Sequence, residues 1–68
     1  MPLSKDLKIE IEAAIQRYDE GEYDNAIELM QDFQELLEQM PTGAAPSLRK
    51  RLEEGMDDAA QILQEVYG

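Results

Sequence analysis

The chain contains no cysteine and no histidine, and these two absences exclude several classes of site. Without cysteine there are no disulfide bonds and no thiolate zinc sites. Without histidine there is no imidazole for acid–base chemistry, and a metal would have to bind through oxygen atoms alone. The sequence also lacks a glycine-rich phosphate loop. These absences argue against an enzyme, and we expect neither a cofactor nor a metal.

Long apolar runs are absent as well. No segment approaches the roughly 20 apolar residues of a membrane span, and the N-terminal segment is polar too early for a signal peptide. Aromatic residues make up only 6% of the 68 residues, which limits the large apolar surface available for a core. We expect one small domain over residues 1–68, located in the cytoplasm and not at a membrane.

Positive charge is missing from the middle of the chain. Residues 18–48 contain no Lys or Arg, and the formal net charge of the whole chain is -10. The same segment holds eight carboxylates: Asp19, Glu20, Glu22, Asp24, Glu28, Asp32, Glu35 and Glu38. A fixed field of one sign selects partners by charge. The expected partner is therefore a protein with a basic surface, whereas direct contact with a nucleic acid is disfavoured because a polyanion would be repelled.

Apolar residues recur at helical spacing along most of the chain. Steps of three and four predict helices over residues 4–20, 23–40 and 47–67. No stretch alternates with the period of two that is typical of strands. Because short connections between consecutive helices favour antiparallel neighbours, we predict an all-α fold, a three-helix up-down-up antiparallel bundle.

The apolar face of each predicted helix identifies the expected core. In the first helix this face comprises Leu3, Leu7, Ile11, Ala14, Ile15 and Tyr18, widened by Ile9 and Ala13. In the second helix it comprises Tyr23, Ala26, Ile27, Met30, Phe33, Leu37 and Met40, with Leu29 and Leu36 beside it. In the third helix it comprises Leu48, Leu52, Met56, Ala59, Leu63 and Val66, flanked by Ile62 and Tyr67. The wide face of the second helix predicts contact with both neighbours.

Polar residues and glycines mark the expected helix ends. Ser4 is the predicted N-cap of the first helix, and Gly21 its stop, because glycine tolerates the left-handed backbone that ends helices. Asp24 or Glu22 is expected at the start of the second helix, where negative charge complements the helix dipole. Ser47 is the predicted cap of the third helix.

Gly55 lies in the middle of the third predicted helix. A glycine there costs about 1 kcal/mol relative to Ala. Two explanations are open: it allows another helix to approach closely, or it is merely tolerated, and close packing is the preferred one. Met30, Met40 and Met56 fall on inward faces, where methionine fills irregular gaps in a core.

The segment over residues 18–30 resembles the turn and second helix of a tetratricopeptide repeat. Gly21, Tyr23 and Ala26 match in order and spacing the glycine, aromatic and small residue of that family. The resemblance covers a single hairpin, about residues 8–41, and the chain departs from the family pattern at four positions: Glu10, Ala13, Phe33 and Pro41. The resemblance implies a repeat-like helical hairpin capped by a third helix, and protein–protein binding rather than catalysis.

Four carboxylates form an acidic stripe on the second helix. Asp24, Glu28, Asp32 and Glu35 are spaced four, four and three residues apart, which places neighbours on one edge about 5–6 Å from each other. One interpretation is a docking surface for a basic partner. The other is a solvated face that keeps a small protein in solution. The carboxylates near Gly21 do not have the order of a calcium loop.

Three consecutive cations, Arg49-Lys50-Arg51, stand at the start of the third helix, where they oppose the helix dipole. In an antiparallel bundle this end lies beside the end of the second helix, so ion pairs with Glu35 and Glu38 are expected. A contact with phosphate is the less favoured alternative.

The leading hypothesis is a small acidic protein-interaction module, steered by the acidic stripe and anchored by Tyr18, Tyr23 or Tyr67 with their hydroxyls toward water. One concrete form is an inhibitor or regulator that blocks a basic, nucleic-acid-binding protein by charge mimicry. The alternative is a structural subunit that self-associates as a homo-oligomer, in which the acidic surface serves only solubility.

Overall fold

The computed structural model describes residues 3–68, and these residues form three helices without any strand. The helices are α1 (Lys5–Asp19), α2 (Ala26–Gln39) and α3 (Pro46–Tyr67). Arg17 near the end of α1 reaches Glu28 near the start of α2, so these two helices run antiparallel. Phe33 of α2 lies against Gly55, near the middle of α3, and all three helices pack against one another. The predicted all-α three-helix bundle is confirmed.

The two ends of α1 follow the sequence prediction. The Ser4 hydroxyl accepts a hydrogen bond from the Leu7 amide at 3.1 Å, so Ser4 is the N-cap. Gly21 adopts a positive φ of 70° directly after the helix. The Glu22 amide donates to the Arg17 carbonyl at 2.9 Å and the Gly21 amide to the Tyr18 carbonyl at 3.1 Å. This pair of hydrogen bonds is a Schellman motif, and it fixes the turn into α2.

The starts of α2 and α3 differ from the prediction. Asn25, rather than Asp24 or Glu22, caps α2, because its extended backbone directs its side-chain oxygen to the Glu28 amide at 2.8 Å. The predicted Ser47 cap is wrong, since α3 begins at Pro46 and its N-cap residue is Ala45, which makes no side-chain capping bond. Proline has no N–H to satisfy and its φ already suits a helix, so the first turn can form without a polar cap.

One hydrophobic core joins the three helices. It contains the fully buried Ile11, Phe33 and Leu52 together with other buried side chains, among them Leu7, Ala14, Ile15, Leu29, Leu36, Met40 and Ala59. Met30 and Met56 are partly buried against this core, in agreement with the predicted packing role of the methionines.

The predicted core faces were too wide on α1 and rotated on α2. Ile9 and Ala13 are exposed, so α1 buries a single narrow stripe. On α2 the buried side chains include Leu29 and Leu36, whereas Ile27 is 46% exposed. The buried face of α2 is therefore centred nearer to Leu29, Phe33 and Leu36 than the sequence pattern indicated, and the direction from which α1 and α3 approach fixes that centre.

Phe33 and Gly55 form the tightest contact between α2 and α3. Gly55 is buried, and a Cβ atom at that position would lie 2.8 Å from Cδ2 of the Phe33 ring. The rings of Tyr18 and Tyr23 meet the Phe33 ring edge-on, with centroids 5.9 and 6.0 Å away. The close-packing explanation of Gly55 is therefore confirmed, and these four residues form the packed centre of the bundle.

Helix α3 has 22 residues and is longer than α1 with 15 or α2 with 14. Its last turns lie beside the first turn of α2. Val66 is 67% exposed and Tyr67 is 76% exposed, so the predicted core position of Val66 is wrong. None of the helices described is long and apolar enough to cross a membrane.

Candidate functional site

A groove runs between the start of α2 and the C-terminal half of α3. Its inner part encloses about 350 Å³ and is lined by Tyr18, Gly21, Tyr23, Asn25, Ala26, Leu29, Asp58, Ala59 and Ile62. Its outer part encloses about 280 Å³ and is lined by Asn25, Ala26, Ile27, Ile62, Leu63, Val66 and Tyr67. Because the two parts share Asn25, Ala26 and Ile62, they form one continuous surface, the α2/α3 groove.

The α2/α3 groove collects most of the exposed large apolar side chains. Five such residues occur among residues 3–68, and four of them lie here: Ile27, Ile62, Val66 and Tyr67. The fifth, Ile9, is on α1. Exposed apolar side chains that cluster, rather than scatter, mark surfaces that bind other molecules.

The chain segments that line the groove carry charged side chains of one sign. Every residue that lines it comes from residues 18–29 or 58–67, and neither segment contains a Lys or Arg. The two segments hold seven carboxylates: Asp19, Glu20, Glu22, Asp24, Glu28, Asp58 and Glu65. Of these, Asp19 is paired with Arg51 and Glu28 with Arg17. An apolar groove in a negative field results.

Arg17 of α1 lies across the acidic stripe of α2. Its two terminal nitrogens are each 3.7 Å from a carboxylate oxygen, one of Glu28 and one of Asp32. Its guanidinium carbon stands 4.2 Å from the centroid of the Tyr23 ring, a cation–π contact. The prediction that all four carboxylates lie on the second helix is wrong for Asp24, which lies in the turn before α2 because the helix begins at Ala26; Asp24 and Glu35 are both exposed. The middle of the stripe is thus partly neutralised, while both ends keep their full charge.

Sequence reasoning did not identify this cross-helix role of Arg17. A signal was available. Arg17 is the only cation in the last turn of α1, and the tight turn at Gly21 brings that end of the helix back beside the first turns of α2. A long side chain at this position can reach the acidic residues there.

The expected ion pairs of Glu35 and Glu38 with the basic cluster are wrong. Arg51 instead binds Asp19 at the end of α1, with one nitrogen 2.8 and 2.6 Å from the two carboxylate oxygens. The reason is rotation about the axis of α2. Its buried face contains Phe33 and Leu36, and at 100° per residue Glu35 and Glu38 point to the opposite, solvent side.

Tyr18 joins the packed centre to the groove. Its ring contacts Phe33, and its hydroxyl donates a hydrogen bond to the Asp58 carboxylate of α3. This hydrogen bond, together with burial, raises the pKa of Tyr18 from 10.0 to about 12. The hydroxyl is therefore engaged within the bundle, contrary to the expectation that it points freely to water.

Tyr23 and Tyr67 have opposite surroundings. The Tyr23 hydroxyl is buried and has no hydrogen-bond partner among residues 3–68, so the expectation that it faces water is wrong. Burial raises the pKa of Tyr23 to about 12, and the nearby Asp32 carboxylate adds to the shift. Tyr67 is 76% exposed at the outer end of the groove and is free to contact a partner.

The geometry of the described residues suits binding. Within residues 3–68 no three carboxylates lie close enough together to hold a metal ion. The α2/α3 groove instead offers an apolar floor and a hydrogen-bonded Asp58, and the exposed Glu65 adjoins the lining residue Val66 in the sequence. Such a surface can bury apolar side chains of a partner and attract cations at its edges.

Comparison of the chain with protein-family models, with curated proteins and with solved structures gave no match. The tetratricopeptide-like reading of residues 8–41 therefore stays a prediction. Three of its positions have clear local roles: Gly21 closes α1, Tyr23 packs on Phe33, and Ala26 lies beside Ala59 in the groove.

Proposed function

We propose that this protein is a small acidic protein-interaction module that acts in the cytoplasm and docks on a partner with a basic surface. The observation that carries the proposal is the separation of charge along the chain. Residues 18–48 hold eight carboxylates and no cation, and Arg17, Arg51 and the other cations come from outside this segment. A negative field fixed on rigid helices speeds encounter with positive partners and repels negative ones.

The stripe Asp24, Glu28, Asp32 and Glu35 is the steering element of this proposal. Glu28 and Asp32 are held in place by Arg17, while Asp24 and Glu35 are exposed. Blocking a nucleic-acid-binding protein by charge mimicry is one concrete form. Tyr67 supplies an exposed aromatic anchor, and Tyr18 and Tyr23 support the surface from beneath.

A charge-matched pair of variants tests the proposal. The first replaces the stripe: Asp24→Asn, Glu28→Gln, Asp32→Asn and Glu35→Gln. The control removes the same number of charges elsewhere: Asp6→Asn, Glu12→Gln, Glu53→Gln and Glu54→Gln. Immobilised wild-type protein should retain basic proteins from a cell lysate at low salt and release them at high salt. The stripe variant should lose this retention and the control should keep most of it. Equal retention by both variants, or none by the wild type, would exclude the steering role.

Self-association is the second candidate function, and the exposed Ile27, Ile62, Val66 and Tyr67 favour it. Here the carboxylates serve only solubility. Association through apolar contacts should persist or strengthen as salt screens the repulsion between two copies. Sedimentation at two protein concentrations and two salt concentrations decides the matter, because a monomer under all four conditions excludes a self-associating subunit.

A further inference from the structure

We infer that the α2/α3 groove is the docking site for an amphipathic helix that carries Lys or Arg beside its apolar residues. The inference rests on the proposed function and names both the surface and the chemistry of its partner. Tyr67, which the sequence had suggested as an anchor, forms the outer end of this groove, whereas the acidic stripe on α2 lies partly outside it.

The groove has the length of a short helical segment. Along α3 it extends from Asp58 to Tyr67, which corresponds to about 14 Å at 1.5 Å per residue. An apolar stripe at positions i, i+3 or i+4, and i+7 of a partner helix spans about 10 Å. Two turns of such a helix would therefore fit over Ile62 and Val66.

The floor of the groove is preformed and apolar. Ala26 of α2 and Ala59 of α3 are small, so they leave a depression between the larger Leu29 and Ile62. Leu29 and Ala59 are buried as part of the core, whereas Ile62 is 52% exposed above them. An apolar side chain placed there would cover Ile62 without requiring the bundle to rearrange.

The rim of the groove determines the charge of the occupant. Asp58 and Glu65 are seven residues apart and stand on the same side of α3, two turns from each other. Glu22 and Asp24 lie in the turn that leads to α2, next in sequence to Gly21, Tyr23 and Asn25, which line the groove. No Lys or Arg occurs in either segment that lines the groove. A partner with cations beside its apolar stripe would complement this rim, and a neutral or acidic helix would not.

Charge also argues against a second copy of the chain as occupant. Two grooves placed face to face would bring together two sets of carboxylates on chains that each carry a net charge of -10. Outside the groove, the one exposed large apolar residue among residues 3–68 is Ile9. Its neighbours in the sequence are Lys8 and Glu10, so it offers no net positive charge to the rim.

Synthetic peptides provide the probe. The test peptide is an amphipathic helix with Leu at i, i+3, i+4 and i+7 and Lys at the flanking positions. One control peptide has the same composition in an order that scatters the Leu residues, and a second carries Glu in place of Lys. Fluorescence anisotropy measures affinity, and backbone amide shifts in NMR locate the peptide. The wild-type protein should bind the test peptide at least about ten-fold more tightly than either control.

Two isoleucine variants locate the apolar contact. Ile62 is 52% exposed and Ile9 is 55% exposed, so the two positions are closely matched. Ile62→Gln and Ile9→Gln make the same side-chain change, and neither alters the net charge. Ile62→Gln should weaken binding about ten-fold, since burial of an isoleucine side chain is lost. Ile9→Gln should bind as the wild type does. Circular dichroism verifies that both variants remain folded.

A second pair of variants tests the rim. Glu65→Gln should lower the association rate and flatten its dependence on salt, whereas Glu53→Gln should change neither to the same extent. Equal effects of the two isoleucine variants, or equal binding of the test and scattered peptides, would overturn the inference. So would failure of the test peptide to bind, or concentration-dependent dimerisation that Ile62→Gln abolishes and Ile9→Gln does not.

The outcome also separates this inference from the proposed function. Binding of the basic peptide with shifts around Asp32 and Glu35, and none along the groove, would overturn the groove but keep an acidic module with a basic partner. Loss of basic-protein retention in every form of the protein would instead remove the proposed function itself.

Discussion

The packed centre around Phe33 and the α2/α3 groove around Ile62 are built by the same two helices but differ in packing. At the centre, Gly55 lets the Phe33 ring approach the backbone of α3, and two tyrosine rings close over it. Toward the end of α3, Ala26 and Ala59 are also small, yet no large side chain fills the space between them. Small residues thus serve close packing in one region and leave a groove in the other.

Charge differs between the two regions as well. Around the centre, Arg17 pairs with Glu28 and Asp32, and Arg51 pairs with Asp19, so cations from α1 and α3 offset carboxylates on neighbouring helices. The residues that line the groove come from segments without any cation, and Arg17 of α1 reaches the groove only at Tyr23, at its inner end. The side chains of the packed centre are thus satisfied by contacts within the chain, whereas the apolar floor and the negative rim of the groove remain exposed.

The largest expected effect distinguishes the two regions by stability. Phe33→Ala should cost about 3–5 kcal/mol, because it removes a fully buried ring and leaves a cavity. A domain of this size has a free energy of unfolding of only about 3–10 kcal/mol, so the variant should lose a large part of its stability. The smaller change Phe33→Leu should leave the protein folded, so its loss of stability can be measured by urea titration followed by circular dichroism.

Ile62→Ala is the matched change in the groove, and it should cost less than about 1 kcal/mol because half of the side chain is already exposed. If Phe33→Leu and Ile62→Ala destabilised the protein equally, the distinction between a packed centre and an open groove would be lost.

The next largest effect concerns Gly55. Helix propensity alone would make Gly55→Ala stabilising by about 1 kcal/mol. The added Cβ would collide with the Phe33 ring, and overpacking of this kind costs about 1–3 kcal/mol, so we expect a net loss. Urea titration gives the sign directly.

A double-mutant cycle sharpens the Gly55 test. Phe33→Leu should relieve much of the cost of Gly55→Ala, because the two residues are in contact. Ala60→Gly, at an exposed position of the same helix, should cost about 1 kcal/mol through propensity, and Phe33→Leu should not change that cost. Additive effects of Gly55→Ala and Phe33→Leu would contradict the contact.

Two tyrosine variants compare a hydroxyl that is hydrogen-bonded with a buried hydroxyl that has no partner among residues 3–68. Tyr18→Phe removes the hydrogen bond to Asp58 and should cost about 0.5–1 kcal/mol. Tyr23→Phe removes a buried hydroxyl that has no partner, so it should be neutral or slightly stabilising. Thermal unfolding of the two variants side by side measures the difference, and a larger loss for Tyr23→Phe would show that its hydroxyl has a partner in solution.

A further expected effect is a loss of stability at high pH. The pKa values of Tyr18 and Tyr23 are raised from 10.0 to about 12 in the folded state, so folding favours the protonated phenols. Their contribution is fully present below pH 10.0 and is lost as the pH rises to about 12. The urea midpoint should therefore fall across this range, and the fall should be shallower in the Tyr18→Phe, Tyr23→Phe double variant. An identical fall in that variant would assign the effect to other groups.

Local rules predicted the helices and several of their ends. The N-cap at Ser4 depends on hydrogen bonds to residues a few positions along the chain, so it can be predicted locally. The same holds for the helix stop at Gly21 and the close packing at Gly55, because both depend on the absence of a side chain. The prediction failed where neighbouring residues could each begin a helix. Asn25 rather than Asp24 caps α2, and α3 begins at Pro46 without needing Ser47 as a cap.

The candidate site was predicted only in part. The sequence identified Asp24, Glu28, Asp32 and Glu35 as a stripe and named Tyr67, but it placed Val66 in the core and gave no sign of a groove. It also assigned the basic cluster to Glu35 and Glu38, whereas Arg51 binds Asp19. These errors share a cause: each depends on how one helix is rotated and offset against another, which periodicity within a single helix does not define.

The sequence alone thus determined three amphipathic helices, a chain without cysteine or histidine, and a cation-free acidic middle, because these follow from composition and spacing. The tertiary structure decided that Arg17 lies across the acidic stripe, that Phe33 packs on Gly55, and that the end of α3 leaves an apolar groove beside α2. The physical reason is that pairing between distant residues depends on the offset and rotation of packed helices, which only the folded chain fixes.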